Sequence, residues 1–219
     1  MRNEKFRLNP RKTPGYHVLR ALVSGLWALL FRPKVVGLEN IPTDGPVLIA
    51  PIHRSNIDFA YVVFVTPRKT FFMAKDSLWN VPVLGRLLST MGAFPVRRGS
   101  ADRDSMGFAE SVLSAGQALV LFPEGTRRDG DDVGELHDGA MFLAARHGAR
   151  VVPVGIGGTQ KAMPKGAKLP RPARTAVVVG KPLQPPTSDK RVSRSQLAEA
   201  TEELRAALQV VYDEARALL

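Results

Sequence analysis

Apolar and polar positions alternate along the chain in blocks that predict strands and helices in turn. Short apolar runs bounded by turn residues predict six strands, at residues 47–51, 70–74, 93–96, 118–122, 151–156 and 176–179. Between them, apolar residues recur at helical spacing and predict helices over residues 57–65, 81–91, 103–115 and 139–147. This alternation predicts an α/β fold, with a mixed, largely parallel sheet flanked by helices.

A further amphipathic helix is predicted near the start of the chain. Residues 17–31 read HVLRALVSGLWALLF, which is shorter than the roughly 20 apolar residues that a membrane-spanning helix needs. No small-residue cleavage site accompanies the run, so a secretory signal is not expected. Its basic flanks favour an interfacial helix that places Leu19, Leu22, Trp27 and Leu30 in the lipid, and packing on the domain is the alternative.

The predicted organisation has two parts. Residues 1–32 form a basic N-terminal segment with the interfacial helix, and residues 33–219 form one domain. The domain ends in a helix over about residues 195–219, because leucine and valine recur there along one helical face. We expect this last helix to pack on the domain.

Composition restricts the possible chemistry. The 219 residues include no cysteine, which excludes disulfides, thiolate metal sites and a cysteine nucleophile. The formal net charge of +11 attracts polyanions such as nucleic acid, anionic lipid or phosphorylated substrates. Zinc spacing and recognisable helix-turn-helix or aromatic sheet signatures are absent from the sequence, so no nucleic-acid partner is expected. The composition alone also allows a protein that is not an enzyme, namely a basic module that binds nucleic acid or membrane without catalysis.

A histidine and an aspartate follow the first predicted strand. His53 comes after the apolar stretch VLIAPI and opens HRSNID, at a strand end, where open α/β sheets form their crevices. Asp58 lies five residues on, and the two side chains meet only if His53 precedes the helix and Asp58 lies in its first turn. Ser55 and Asp58 also match a helix-capping box with Ser55 as N-cap, so a purely structural role for Asp58 stays open.

Two other predicted strand ends carry arginines. FPEGTRR places Glu124 and Gly125 at a turn and Arg127 just after it. Arginine binds phosphate through two parallel hydrogen bonds, and glycine permits close backbone approach, although an ordinary charged turn is the alternative. GAFPVRRG places Arg97 at a comparable strand end, and the apolar segment VVPVGIGG predicts a structural or tunnel-lining role for Pro153.

The segments HRSNID, GAFPVRRG, FPEGTRR and VVPVGIGG resemble, in order and separation, the four blocks of the glycerolipid acyltransferase superfamily, especially the bacterial 1-acyl-glycerol-3-phosphate acyltransferases. The resemblance covers roughly residues 33–185. It implies His53 as general base and Asp58 as its orienting partner. It also implies an acceptor site around the glycerol phosphate, formed by Arg97, Glu124, Gly125, Thr126 and Arg127, with Lys75 in FMAKDSLW near the phosphate.

The resemblance implies a reaction and its partners. A fatty acyl group passes from acyl-CoA or acyl carrier protein, as co-substrate, to the free hydroxyl of 1-acyl-glycerol-3-phosphate, a lysophospholipid acceptor, and gives phosphatidate. We expect direct attack without an acyl-enzyme, because the chain has no cysteine and no serine is recognisably placed as a nucleophile. We expect no bound cofactor, and no metal, because the histidines and carboxylates do not fall at ligand spacing. The expected location is peripheral or monotopic, on the anionic cytoplasmic face of the cell membrane. Another lysophospholipid, glycerol 3-phosphate, a glycolipid or water remain alternative acceptors.

One position departs from the family. The family commonly has a lysine just before the glycine that opens the next helix, whereas this stretch reads Leu136-His137-Asp138-Gly139. An acidic residue in that place weakens the expectation of a phosphate contact there and leaves an altered acceptor open.

Overall fold

A single seven-stranded sheet organises the protein. The computed structural model describes residues 14–96, 103–167, 169–187 and 192–219. The strands, in chain order, are β1 Lys34–Val36, β2 Val47–Pro51, β3 Thr70–Lys75, β4 Ala93–Val96, β5 Ala118–Val120, β6 Arg150–Gly157 and β7 Ala176–Val179. Their order across the sheet is β1-β7-β6-β2-β5-β3-β4, and every neighbouring pair is parallel except β6 and β7. The predicted mixed, largely parallel sheet is confirmed.

Helices cover both faces of the sheet. They are α1 Pro14–Phe31, α2 Asp58–Val65, α3 Pro82–Thr90, α4 Arg103–Ser114, α5 Gly139–His147, α6 Thr159–Ala162 and α7 Arg194–Ala217, with short 3-10 helices at Leu38–Asn40 and Asp76–Asn80. Phe72 of β3 stacks on Phe59 of α2, whereas Phe71 contacts Phe108 of α4 on the opposite face. Right-handed connections place α3 on the α2 face and α5 on the α4 face. Contacts add α1 to the first face and α7 to the second.

The core follows from apolar runs that are buried on both faces. All five residues of β2 are buried, as expected for a central strand of a parallel sheet between two helical layers. Pro153 lies in the buried strand β6, where its carbonyl accepts a hydrogen bond from the Gly180 N–H, so the structural interpretation of this proline fits. The edge strand β1 was not predicted, because three residues of mixed exposure carry too short a pattern.

The helix α1 packs differently from the sequence prediction. Trp27 and Leu30 were expected to face lipid, but both pack against the core, and Trp27 contacts buried Phe31 at 5.4 Å between ring centroids. The reason is the helical period, which puts these residues on the same face as buried Tyr16. Leu19 is partly buried, and only Leu22 of the predicted four is exposed.

An apolar stripe runs along the outer side of α1. Its four members are between 50% and 74% exposed: Val18, Leu22, Leu26 and Leu29. They are spaced three or four residues apart, which places them on one helical face. Within the described ranges, no helix has both the length and the apolar character needed to cross a bilayer.

The C-terminal helix α7 lies directly on β6. Its residues Leu204, Leu208 and Val211 are buried, which confirms the prediction that the last helix packs on the domain. The contact is close because β6 has a glycine where the helix crosses. A Cβ added to Gly155 would clash with the Val211 carbonyl oxygen. Gly157 has the same relation to Ala215. Gly155 and Gly157 of VVPVGIGG therefore serve helix-on-sheet packing.

Replacing Gly155 by alanine is expected to lower the free energy of unfolding by about 1–3 kcal/mol, because the new methyl group forces the helix backbone away from the strand. Gly107→Ala is the matched control. Gly107 lies within α4 with open space around its Cβ position, so alanine there is expected to raise stability by about 0.5–1 kcal/mol. Urea denaturation followed by circular dichroism measures both. A Gly155→Ala protein as stable as the parent would contradict the packing argument.

Candidate active site

The predicted site residues gather at one edge of the sheet. Strands β2, β3, β4 and β5 are parallel, so their carboxyl ends share that edge. His53 follows β2, Lys75 ends β3, and Glu124 follows β5. Arg97 lies outside the described residues, directly after Val96, which pairs with Lys75 in the sheet.

His53 and Asp58 are in direct contact. The Nδ1 atom of His53 lies 3.1 Å from Oδ2 of Asp58, and Asp58 is the first residue of α2. This is the geometry that the sequence spacing required. With Nδ1–H donating to the carboxylate, Nε2 is the nitrogen left to accept a proton. The imidazole packs on Phe122 at 4.2 Å between ring centroids and remains 12% exposed, whereas Asp58 is fully buried.

The carboxylate of Asp58 also organises the backbone. Its Oδ2 accepts hydrogen bonds from the backbone N–H groups of Arg54 and Ser55, each at 2.6 Å. The predicted N-cap role of Ser55 is wrong: its hydroxyl donates to the Met163 carbonyl, and Ile57 occupies the N-cap position of α2. The helix starts too late for Ser55 to cap it, so only the carboxylate half of the capping box forms.

Glu124 is buried beneath His53 instead of lining an open acceptor site. Its carboxylate accepts two hydrogen bonds from Nη1 of Arg54, at 2.9 and 2.8 Å, and one from the backbone N–H of His53, at 3.0 Å. Neither side chain of this ion pair has exposed surface. Contact between Glu124 and an acceptor, as the resemblance implied, does not fit this burial. The geometry instead gives Glu124 the position of a support for His53.

Arg54 is the residue that sequence reasoning missed. Besides Glu124, it donates to the carbonyls of His53 and Asp132, at 3.1 and 2.9 Å, and its guanidinium lies 5.1 Å from the ring centroid of Tyr212 in α7. The signal was present, since an arginine directly after a strand-end histidine needs a partner if buried. Arg54 therefore joins the histidine loop, the FPEGTRR turn and the C-terminal helix.

The FPEGTRR turn holds the other side of the histidine backbone. Arg128 donates its backbone N–H to the carbonyl of His53 at 3.0 Å. Gly125 has φ +65°, a backbone conformation that favours glycine, and the ring of His137 lies where a Cβ would project. The close approach predicted for Gly125 is thus made by a residue of the chain itself.

Three of the predicted acceptor-binding side chains remain accessible at this edge. Thr126 and Lys75 are exposed, and Arg127 is half-buried. In the described ranges, neither Lys75 nor Arg127 has a hydrogen bond or ion pair with another side chain. Two cations without an internal partner at the carboxyl edge of the sheet are suited to bind an anionic group.

Asp138, the departure from the family, serves the fold. Its Oδ1 accepts a hydrogen bond of 2.8 Å from the hydroxyl of Thr201 in α7. A carboxylate in this place ties the start of α5 to the C-terminal helix. The structure gives the position no cationic group, so a phosphate contact at residue 138 has no support.

Burial also affects a neighbour of the pair. The pKa of Tyr61 is raised mainly by burial in the core, and the charge of Asp58 adds to the rise. The phenol is therefore neutral at physiological pH, so Asp58 faces no second anion from this side.

Among the described residues, no three His, Asp or Glu side chains gather as a metal site would require.

Removing Arg54 is expected to lower the free energy of unfolding by about 3–5 kcal/mol, because Arg54→Ala leaves Glu124 buried without its partner. The double variant Arg54→Ala/Glu124→Gln is expected to recover part of that loss, since the uncompensated charge is gone. Urea denaturation compares the two variants with the parent. Equal losses in both would show that packing of the Arg54 side chain, and not charge pairing, is what matters.

Comparison with known proteins agrees with the fold and the site. An acyltransferase family model matches residues 32–157. The chloroplastic 1-acyl-sn-glycerol-3-phosphate acyltransferase of Arabidopsis thaliana is 29% identical over 189 residues, covering 81% of this chain and 53% of that protein. The 1-acyl-sn-glycerol-3-phosphate acyltransferase of Bacillus subtilis is 30% identical over 172 residues, covering 78% of this chain and 83% of that protein.

A solved structure resembles the whole domain. The crystal structure of the 1-acyl-sn-glycerophosphate acyltransferase of Thermotoga maritima superposes with a TM-score of 0.74 at 25% identity, covering 92% of this chain and 80% of that one. The chain spans about half the length of the chloroplastic relatives that it matches. Since the family model covers more than half of the chain, and the sheet and its helices agree with the solved relative, the protein belongs to the acyltransferase family, within the glycerolipid acyltransferase superfamily.

Proposed function

We propose that the protein transfers a fatty acyl group from an acyl thioester to the free hydroxyl of 1-acyl-glycerol-3-phosphate, giving phosphatidate. The observation that carries the proposal is the His53–Asp58 pair, with Nδ1 of the imidazole bound to a buried carboxylate at the carboxyl edge of the sheet. The relatives are named 1-acyl-sn-glycerol-3-phosphate acyltransferases, which supports this acceptor over other lysophospholipids, glycerol 3-phosphate and glycolipids.

In the proposed reaction, Nε2 of His53 removes the hydroxyl proton as the acceptor oxygen attacks the thioester carbonyl carbon. The tetrahedral intermediate then collapses, the carbon–sulfur bond breaks, and the imidazolium returns its proton to the leaving thiolate. Asp58 holds the imidazole in the required tautomer and stabilises the imidazolium during the transfer. Backbone N–H groups near Gly125 or at the start of α2 are the candidates for stabilising the oxyanion.

Direct attack by the acceptor fits the available nucleophiles. The chain has no cysteine, and the hydroxyl of Ser55, which lies close to His53 in sequence, donates to a backbone carbonyl. No covalent acyl-enzyme is therefore part of the proposal. Isolation of an acyl group attached to any side chain after quenching would overturn this part.

The acceptor phosphate is proposed to bind to the accessible cations, Lys75 and Arg127, together with Arg97. Their positions at the strand ends, and the absence of an internal partner for Lys75 and Arg127 among the described residues, support this assignment. Acyl-CoA and acyl carrier protein both carry negative charge, so the same basic edge suits either donor. The donor is a co-substrate here, and no bound cofactor takes part.

We place the protein on the anionic, cytoplasmic face of the cell membrane, as a peripheral or monotopic enzyme. The outer stripe of α1 supports this, since it exposes Val18, Leu22, Leu26 and Leu29 on a helix that contains no acidic residue. Lysophospholipid acceptors reside in the membrane, so an enzyme docked there meets its substrate directly.

His53→Ala is expected to reduce kcat by about 10²–10⁴-fold with the fold intact, because the general base is lost. Asp58→Asn is expected to cost about 10²-fold or more in kcat while stability changes little, since the amide oxygen still accepts from the two backbone N–H groups. Asp58→Ala, which removes those bonds, should also lose about 1–3 kcal/mol of stability.

The assay follows radiolabelled acyl thioester into phosphatidate or free acid, with denaturation curves for each variant. Free acid as the main product in the presence of acceptor would favour a thioesterase. Tight, salt-dependent binding of duplex DNA without acyl transfer would favour the binding-module alternative. An unchanged rate in His53→Ala would remove the proposed mechanism.

Arg127→Ala is expected to raise KM for 1-acyl-glycerol-3-phosphate about 10-fold or more, because a charge-assisted phosphate contact of about 1.5–3 kcal/mol is lost. A monoacylglycerol acceptor without phosphate should be unaffected by the change. Arg146→Ala, which removes an exposed arginine on α5 paired with Glu110, is the matched control and should leave KM unchanged. Equal effects on both acceptors would assign Arg127 to another role.

A further inference from the structure

Exposed apolar side chains are concentrated on one face of the protein. Of the 14 large apolar residues exposed within the described ranges, nine lie on the α1–α2–α3 face of the sheet: four in α1, one in α2 and four in residues 78–87. Four others, Val36, Leu38, Leu169 and Leu219, lie outside the helices of either face. The helices of the opposite face, α4, α5 and α7, contribute a single one, Val210. Scattered exposed apolar residues need no explanation, but this one-sided distribution marks an interaction surface.

The second group on this face forms a patch of its own beside the catalytic edge. It consists of Leu78, Val81, Val83 and Leu87, in the 3-10 helix Asp76–Asn80 and α3, and we call it the α3 patch. Val83 is 78% exposed. The patch begins three residues after Lys75, the end of β3, so it lies at the edge that carries His53.

Charge is distributed in the same one-sided way. Helices α1 and α3 contain no aspartate or glutamate, and the only charged residue of α3 is the exposed Arg86. Helix α7 on the opposite face carries five acidic residues: Glu199, Glu202, Glu203, Asp213 and Glu214. Asp76, at the start of the 3-10 helix, is the one acidic residue in the two segments that form the α3 patch, and Lys75 and Arg86 lie on either side of it in the chain. An apolar surface with more cations than acids around it complements an anionic lipid surface.

We infer that the α3 patch is a second membrane contact, so that the bilayer lies along the α1–α2–α3 face and not against α1 alone. Helix α2 lies between the two contacts, because Tyr61 meets Phe31 of α1 and Phe59 stacks on Phe72 of β3. Docking through both places the catalytic edge at the lipid headgroups, where a lysophospholipid presents its hydroxyl. The inference deepens the membrane association proposed above and rests on it.

A single introduced cysteine tests the inference in the 219-residue chain, because the chain has no cysteine of its own. Val83→Cys, Leu26→Cys and Val210→Cys are labelled with an environment-sensitive fluorophore and mixed with vesicles of phosphatidylcholine and phosphatidylglycerol. Val210, 56% exposed on α7, is the matched control. The labels at positions 83 and 26 are expected to shift to the blue and to be quenched by bromolipids, and the label at 210 to do neither.

Partitioning supplies an independent measurement. Val83→Ser/Leu87→Ser is expected to weaken vesicle binding about tenfold, because apolar surface no longer enters the acyl boundary. Val210→Ser should bind as the parent does. A label at 83 that stays water-exposed while the one at 26 is buried would show that α1 docks alone, and the inference would fail.

Two further outcomes separate this inference from its rivals. A blue shift at position 83 that appears without vesicles as protein concentration rises, with a doubled molecular mass in solution, would make the patch an interface between copies and overturn the inference. The measurement in a His53→Ala background keeps the two proposals apart. Label burial there without any acyl transfer in the parent would sustain the membrane contact and reject the proposed chemistry.

Discussion

The buried ion pair of Arg54 and Glu124 is the interaction on which the geometry of the site depends. Glu124 holds the N–H of His53, and Arg54 holds its carbonyl, so both sides of the histidine backbone are bound to one pair of charges. Removing two charges from water is costly, and such a pair is retained only where its hydrogen bonds are nearly complete. Here the cost is offset by the six hydrogen bonds that involve these two side chains and by the ring of Tyr212, and the result is a backbone held in place under the imidazole.

Asp58 orients the imidazole ring of His53 and binds the loop that carries it. One carboxylate oxygen accepts from the imidazole and from two backbone N–H groups, so the loop between strand and helix and the orientation of the ring are set together. The two interpretations of Asp58, capping and catalytic orientation, are therefore parts of one arrangement. A substitution that removes the charge but keeps an oxygen separates the two roles. Backbone N–H groups need only an acceptor, whereas an imidazolium needs an anion.

The sequence predicted what local pattern controls and failed where distant packing decides. The strands over 47–51 and 93–96 and the helix over 139–147 agree with the structure to the residue. The contact between His53 and Asp58 forms because the structure meets the condition that their spacing set, with His53 before the helix and Asp58 in its first turn. The partner of Glu124 did not, because a bond between residues 70 positions apart leaves no periodic signal. Trp27 was placed in lipid because aromatic residues favour interfaces, yet its helical face turns it to the core.

The C-terminal helix shows why a site cannot be reduced to its motifs. Helix α7 packs closely on β6 because Gly155 leaves room for the helix backbone. It also places Tyr212 against Arg54, and its Thr201 donates a hydrogen bond to Asp138. Gln209 and Arg216 of the same helix hold residues 131–133, in the loop that follows FPEGTRR. An acidic residue at position 138, a departure when compared with the family, becomes intelligible as one of these ties. The motifs supply the reacting groups, and the rest of the chain fixes the distances between them.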